Sequence, residues 1–371
     1  MTSRERLLKA IRNEVPDHVP AAPDMWEMIP IRLMQEKDKN KPAWKMLLYN
    51  DPPAWKGRID SATHFGVDGF FGLNIPMGDD SREVIVARDD NQIVTQWLTE
   101  NDEGRSWSDV LNVYPIDGAI AALVEPSTLG LPDVPESWIE VKRNYNKTGR
   151  EFFEDAREYM GESGVLGPMV YLPCLSSQEK EIYRYYDDPE AVREQMQRQG
   201  ELMIQWTEEF LSWEPDMLMI GNSGLMLFNP EEIFRDLSLE WMKKITAMAK
   251  EKGIPTHVHA CGPEKDLVRI AAEETDLSSI EPLEIPPMGD CNLAEIKKLY
   301  GGRIALKGNL HTTEVMLRGT VDQVADACKR AIDDAAEGGG FILSTGDQTP
   351  QFTSDENIRI MQEVAETYGK Y

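Results

Sequence analysis

Short apolar, β-prone runs alternate with helix-period stretches along most of the chain, and nothing else in it restricts the choice of fold as much. Eight runs have this character, at residues 19–23, 67–71, 165–171, 217–220, 256–259, 279–281, 304–307 and 341–344. Between them, residues 189–212, 230–252, 264–274, 293–300 and 321–337 carry apolar side chains at helix spacing. Gly253, Gly301 and Gly338 follow three of these stretches as stop signals. Strand alternating with helix eight times predicts an α/β chain folded as one (β/α)8, or TIM, barrel over residues 1–371. A charged amphipathic helix starting in Met1-Thr-Ser-Arg-Glu-Arg forms an N-terminal helical extension. Residues 80–145 break the alternation. There Glu83-Val-Ile-Val-Ala and Gln92-Ile-Val-Thr-Gln-Trp flank Asp89-Asp-Asn as the arms of a hairpin flank its turn, and a Pro-rich connection follows Pro126. The segment reads as a β-hairpin insertion between the second and third barrel strands.

Charge narrows the function. Lys and Arg number 39 against 65 Asp and Glu, a formal net charge of −26, which repels phosphate backbones and anionic membrane surfaces and argues against nucleic acid as a partner. No run of 18 apolar residues and no signal-peptide core is present, so a cytoplasmic protein without a membrane partner is expected. The four cysteines, Cys174, Cys261, Cys291 and Cys328, are too sparse for a disulfide framework and read as ligands or core residues. Cys328 lies in a helical pattern and suits the core, whereas Cys291 opens a helix.

Barrel enzymes collect their chemistry at the C-terminal ends of the strands, so the residues just past each run are the ones to read. The first run leads into Asp24-Met-Trp26-Glu27, the third into Pro173-Cys174 and the fourth into Gly221-Asn222-Ser223. The fifth ends in His257-Val-His-Ala-Cys-Gly262, the sixth in Glu281 and Glu284, the seventh in Gly308-Asn309-Leu-His311 and the eighth in Gly346-Asp347-Gln348. His259 and Cys261 together read as half of a catalytic zinc site, since such a site takes three protein ligands and keeps one position open. Taken alone, the pair is as well explained by a buried thiol beside a hydrogen-bonded imidazole. The carboxylates on neighbouring loops strengthen the ligand reading: Glu281, Glu284 and Asp347 are candidate further ligands, and His259, Glu281 and Asp347 candidate catalytic groups. Met25, Trp26, Phe70, Phe71 and Met77 are candidate walls of a substrate pocket, or ordinary packing, and Asn222 and Asn309 candidate groups for orienting substrate oxygens.

The opening Ser3-Arg-Glu-Arg-Leu-Leu-Lys-Ala-Ile-Arg, Pro16-Asp-His-Val-Pro20, the segment from His257 to Gly262, Lys307-Gly-Asn-Leu-His-Thr-Thr-Glu-Val-Met and Gly338-Gly-Gly-Phe-Ile-Leu-Ser-Thr-Gly-Asp347 together resemble the uroporphyrinogen decarboxylase superfamily. The resemblance implies the barrel but leaves the reaction open, because one fold hosts many. Decarboxylases of this kind hold a polycarboxylate tetrapyrrole with arginines near the N-terminus; here that region reads Pro23-Asp-Met-Trp-Glu-Met-Ile-Pro. The His-X-Cys-Gly segment is similar to that of the zinc methyltransferases of corrinoid-dependent methyl transfer. Among those, the coenzyme M branch adds a second Cys after the last strand, where this chain has Thr345-Gly346-Asp347. A carboxylate in place of a thiolate leaves zinc more Lewis-acidic.

The resemblance therefore implies an O-demethylase methyltransferase with zinc, a methyl ether donor such as a methoxylated aromatic compound, and cobalamin carried by a separate corrinoid protein, since no Asp-x-His-x-x-Gly segment is present. Two other accounts stay open: a methylcobalamin to thiol methyltransferase, and a decarboxylase-like or non-catalytic barrel that binds a tetrapyrrole or corrinoid partner. His311 stands where related sequences tend to carry Asp. The oligomeric state is open, with a homodimer among the options.

Overall fold

The computed structural model describes residues 1–38, 42–78, 81–102, 104–115, 122–176 and 178–371. It divides into two compact units, one made of Met1–Asp24, Ala62–Asn74 and Met160–Tyr371, the other of Met25–Ser61 and Ile75–Tyr159. The strands, numbered along the chain, are β1 (Gly69–Leu73), β2 (Ser81–Arg88), β3 (Gln92–Asn101), β4 (Gly104–Pro115), β5 (Ala122–Val124), β6 (Ile139–Glu140), β7 (Gly164–Val170), β8 (Leu218–Gly221), β9 (Thr256–His259), β10 (Ser279–Glu281), β11 (Ala305–Leu310) and β12 (Phe341–Thr345).

In the first unit, seven strands form a curled parallel sheet in the order β1-β7-β8-β9-β10-β11-β12, a TIM-barrel-like arrangement. β1, β7, β9 and β12 are buried along their whole lengths. A parallel strand covered on both faces reads as a largely apolar run, as β1, β7 and β12 do, whereas β9 alternates Thr and His with Val. The first expected strand, at residues 19–23, is instead an isolated bridge, Ala21 beside Leu343. Pro20 and Pro23 have no N–H to give a ladder. The segment still bonds on both sides: Leu343 N–H donates to Pro20 O at 2.9 Å, Ala22 N–H to Leu343 O at 2.9 Å and Asp68 N–H to Ala21 O at 2.9 Å. It thereby joins β12, at one edge of the sheet, to the entry of β1, at the other.

Helix Ser3–Ile11 opens with a capping box between Thr2 and Glu5. Its Leu7, Ala10 and Ile11 pack with Phe70, Val165, Met217 and Ile342, and Arg6 is held by Asp17 at 2.8 Å and Asp68 at 2.9 Å. Pro189 is the first residue of helix Pro189–Ser212, whose start Asp188 caps by accepting from Ala191 N at 3.2 Å. The stretch expected as one helix at 230–252 is two, Glu231–Leu237 and Leu239–Glu251. At the break, the Ser238 hydroxyl donates to Pro173 O at 2.6 Å, a bond to a distant strand end that local pattern does not encode. No helix among the described residues is long and apolar enough to cross a membrane.

Helix Pro189–Ser212 lies close against Leu239–Glu251 at Gly200, where an added Cβ would sit 2.1 Å from Trp241 Cε2. Gly200→Ala gains about 1 kcal/mol of helix propensity but overpacks a rigid ring, costing ~1–3 kcal/mol. The clash is with an aromatic ring rather than a flexible chain end, so the loss dominates. Chemical denaturation should therefore show a lower midpoint; a midpoint at or above wild type would mean that the two helices separate freely.

In the second unit, β5-β4-β3-β2-β6 form an antiparallel sheet. β2 pairs with β3 from Ser81 opposite Thr99 to Arg88 opposite Ile93, and Asp89 Oδ1 closes the turn by accepting from Asn91 N and Gln92 N. Buried Glu83 accepts from Tyr114 at 2.7 Å and Arg143 at 2.9 Å. This unit extends beyond the expected insertion by taking in Met25–Ser61. Of the expected insertion, residues 80, 103 and 116–121 lie outside the described residues.

Candidate metal centre

Side chains two apart on a strand point the same way, so His257 and His259 share one face of β9. Each faces its register partner on β10, Ser279 and Glu281 respectively. His259 Nδ1 lies 3.1 Å from Glu281 Oε1. His257 Nδ1 lies 2.8 Å from Ser279 Oγ and its Nε2 3.3 Å from Glu281 Oε1. The other carboxylate oxygen of Glu281 accepts a short hydrogen bond from Lys307 Nζ on β11. Lys307 in turn sits 5.0 Å over the ring of Phe70, whose edge meets His257. Asp24 completes this buried layer: its backbone N–H donates to Thr345 Oγ1 at 3.0 Å, and ligand atoms of Asp24, His259 and Glu281 lie within 4.8 Å of one another.

A second cluster stands beside it, on the loops leaving β9, β10 and β12. Cys261, Glu284 and Asp347 also bring one ligand atom each within 4.8 Å of the others. Glu284 is positioned by accepting from Gly262 N at 2.6 Å. Gly262 has φ +101°, a left-handed conformation suited to glycine. Asp347 holds φ +109°, rare for a residue with a Cβ; such strain collects at functional sites.

Burial and neighbours set the charges. Burial works to raise the Glu281 carboxyl, but Lys307 and His257 outweigh it and hold it well below the usual range. Asp24 goes the other way, pushed up to about 7 by burial and by the charge of Glu281. Burial opposes protonation of His259, yet the neighbouring Cys261 and Glu281 prevail and raise it. Burial raises Glu284, and Asp347 beside it adds to the effect.

Of the residues expected from the sequence, Cys261, Glu284 and Asp347 come together in one group and His259 and Glu281 in the other, with Asp24. Glu281 stands behind His259, both of its oxygens engaged by His259 and Lys307. Asn222 is not free to orient substrate: its amide accepts from Leu172 N at 2.8 Å and donates to Leu172 O at 3.1 Å, tying β8 to the end of β7. Asn309 gives its Nδ2–H to Leu283 O at 3.1 Å. Phe70 belongs to the barrel packing beneath His257, and alternation along β1 turns Phe71 to the opposite face. In the other unit, Met25 is buried and the Trp26 ring is covered by the Arg58 guanidinium at 4.0 Å. His311 caps helix Thr312–Leu317, its Nδ1 accepting from Thr313 N and Glu314 N, a task Asp performs equally well.

Asp24, His257 and Lys307 had no assigned role in the sequence. The alternation His-Val-His would have placed His257 beside His259, and a lysine inside a buried strand demands a carboxylate partner.

A parallel curled sheet with polar side chains gathered at the C-terminal strand ends defines a TIM-barrel-like protein with its candidate site at the end of the barrel where such sites lie. Residues 177–368 match the uroporphyrinogen decarboxylase (URO-D) family model, and the chain belongs to that family. A uroporphyrinogen decarboxylase from Actinobacillus succinogenes is 23% identical over 259 residues, covering 67% of this chain and 69% of that protein. A methyltransferase from Methanosarcina mazei has a similar structure, with a TM-score of 0.66 at 15% identity over 99% of each chain.

Proposed function

We propose that this chain is a zinc-dependent methyltransferase that moves a methyl group from a methyl ether, such as a methoxylated aromatic compound, to the cobalt of a separate corrinoid protein. The observation that carries this reading is the meeting of Cys261, Glu284 and Asp347 within reach of one ion, on the loops around the strand that ends in His259. Imidazole, thiolate and carboxylate are all zinc donors. Zinc-binding histidines give their other ring N–H to a carboxylate, and Glu281 occupies that place on His259 Nδ1. The donor set therefore fits the ion, with His259, Cys261, Asp347 and Glu284 as the holding residues. Zinc bound there supplies Lewis acidity at the ether oxygen.

The chain's own residues supply the rest. Glu281 fixes the His259 tautomer so that the Nε2 lone pair is available, and Lys307 keeps Glu281 ionised in a buried place. When the methyl–oxygen bond breaks, its electron pair stays on oxygen, which needs a proton. Asp24, a buried carboxyl whose Oδ2 has no hydrogen-bond partner among the described residues, stands beside His259 to give it. The carboxylates of Asp24, Glu281, Glu284 and Asp347 are a poor match for a polycarboxylate tetrapyrrole.

Asp347→Cys tests the choice of donor. The variant is expected to retain zinc while demethylation of a methoxylated aromatic compound, followed with a corrinoid acceptor, falls roughly ten- to a hundredfold. Full activity would refute the argument from Lewis acidity, and a gain of thiol methylation would favour the thiol methyltransferase account.

A further inference from the structure

The loop after β9 and the loop after β10 are laced together by carboxylates that alternate between them. Gly262 N–H donates to Glu284, Leu283 N–H donates to Glu264 Oε2 at 2.5 Å, and Glu264 N–H donates to Asp290 Oδ1 at 2.9 Å. Cys291 N–H returns to Glu284 O at 3.0 Å. The loops approach so closely at Gly289 that an added Cβ would lie 2.3 Å from Glu284 O and 2.7 Å from Gly262 O.

Glu264 is the anomaly in this lacing. It is fully buried, and among the described residues it forms no salt bridge and its Oε1 has no hydrogen-bond partner. A carboxyl in such a place is costly, and an apolar side chain would fill the space better unless the acceptor oxygen is needed. The need is at Leu283, which holds φ +60°. That left-handed turn costs a branched residue ~1–2 kcal/mol and directs its N–H inward, where Glu264 is the acceptor. Leu283 immediately precedes Glu284, so its conformation sets where the Glu284 carboxylate points.

We propose that Glu264 is a positioning residue: by capturing the Leu283 N–H it holds the turn that aims Glu284 at Gly262 and at the cluster with Cys261 and Asp347. The zinc part of this proposal rests on the function proposed above; the positioning part does not.

Two measurements on Glu264→Ala and Glu264→Gln separate them. In the metal-free protein, Glu264→Ala should speed hydrogen–deuterium exchange at Gly262, whose N–H is bonded to Glu284 and not to Glu264, while Glu264→Gln, which keeps an acceptor oxygen, should leave it slow. Competition with a chromophoric chelator should show zinc affinity weakened about 10–100-fold in Glu264→Ala and near wild type in Glu264→Gln. If Glu264→Ala does not fold, Glu264→Met, which fills the same space without an acceptor, takes its place in both measurements. Unchanged Gly262 exchange, or equal losses in the alanine and glutamine variants, would overturn the proposal. A wild-type protein that binds no zinc would overturn the metal reading alone, leaving positioning to be decided by the exchange rates.

Discussion

Cys261→Ala is expected to emerge from purification without zinc, whereas the wild-type protein should carry about one ion per chain. The thiolate is the softest donor of the set. Its loss leaves one imidazole and two carboxylates, a set better suited to harder ions. An affinity loss beyond about a hundredfold would be visible by elemental analysis, and His259→Ala should behave alike. Because Cys261 is only half-buried, the substitution opens no core cavity and thermal stability of the metal-free forms should match. A wild-type chain that stays metal-free in excess zinc would end the metalloenzyme reading. Equal zinc in wild type and Cys261→Ala would move the site elsewhere.

The second large effect concerns stability. Glu281 and Lys307 each keep only 3% of their side chains exposed, so solvent does little to screen them. Glu281→Ala would leave the ammonium buried without its carboxylate, and breaking a buried pair from one side costs ~3–5 kcal/mol. Urea unfolding should show this directly. Replacing both partners by apolar groups of similar size, Glu281→Leu with Lys307→Met, should cost less than the sum of the single changes, since neither charge is then stranded. A loss below ~1 kcal/mol for Glu281→Ala would mean that the pair is wetter than its burial indicates. The same variant also removes the partner of His259 Nδ1, so its zinc affinity should fall with its stability.

Much of this architecture was legible in the chain itself, for reasons that differ by element. β9 and β10 have the bounds expected for their β-prone segments, and helices Pro189–Ser212 and Leu293–Tyr300 start and stop where their caps lie. The His-X-Cys spacing and the acidic residues after later strands pointed to one end of the barrel because parallel strands deliver their C-terminal ends together. What escaped depends on contacts between distant segments. Ser238 breaks a helix by bonding Pro173, and Asn222 looked available only because its partner, Leu172, lies just past the end of another strand. Lys307 lies in an expected strand, but its partner Glu281 sits on the neighbouring strand, which the local pattern does not show. The segment at residues 19–23 has the hydropathy of a strand, but prolines deny it a ladder.

That segment has a consequence for how the chain is made. Pro20 and Ala22 are hydrogen-bonded to Leu343, and Val19 N–H donates to Gly369 O at 2.8 Å. On the ribosome, these early residues must wait for nearly the whole polypeptide to emerge before their partners exist. Pairing between such remote positions is slow and leaves edges exposed meanwhile. Nascent chains stalled before β12 should therefore depend on chaperones in a way that the released protein does not.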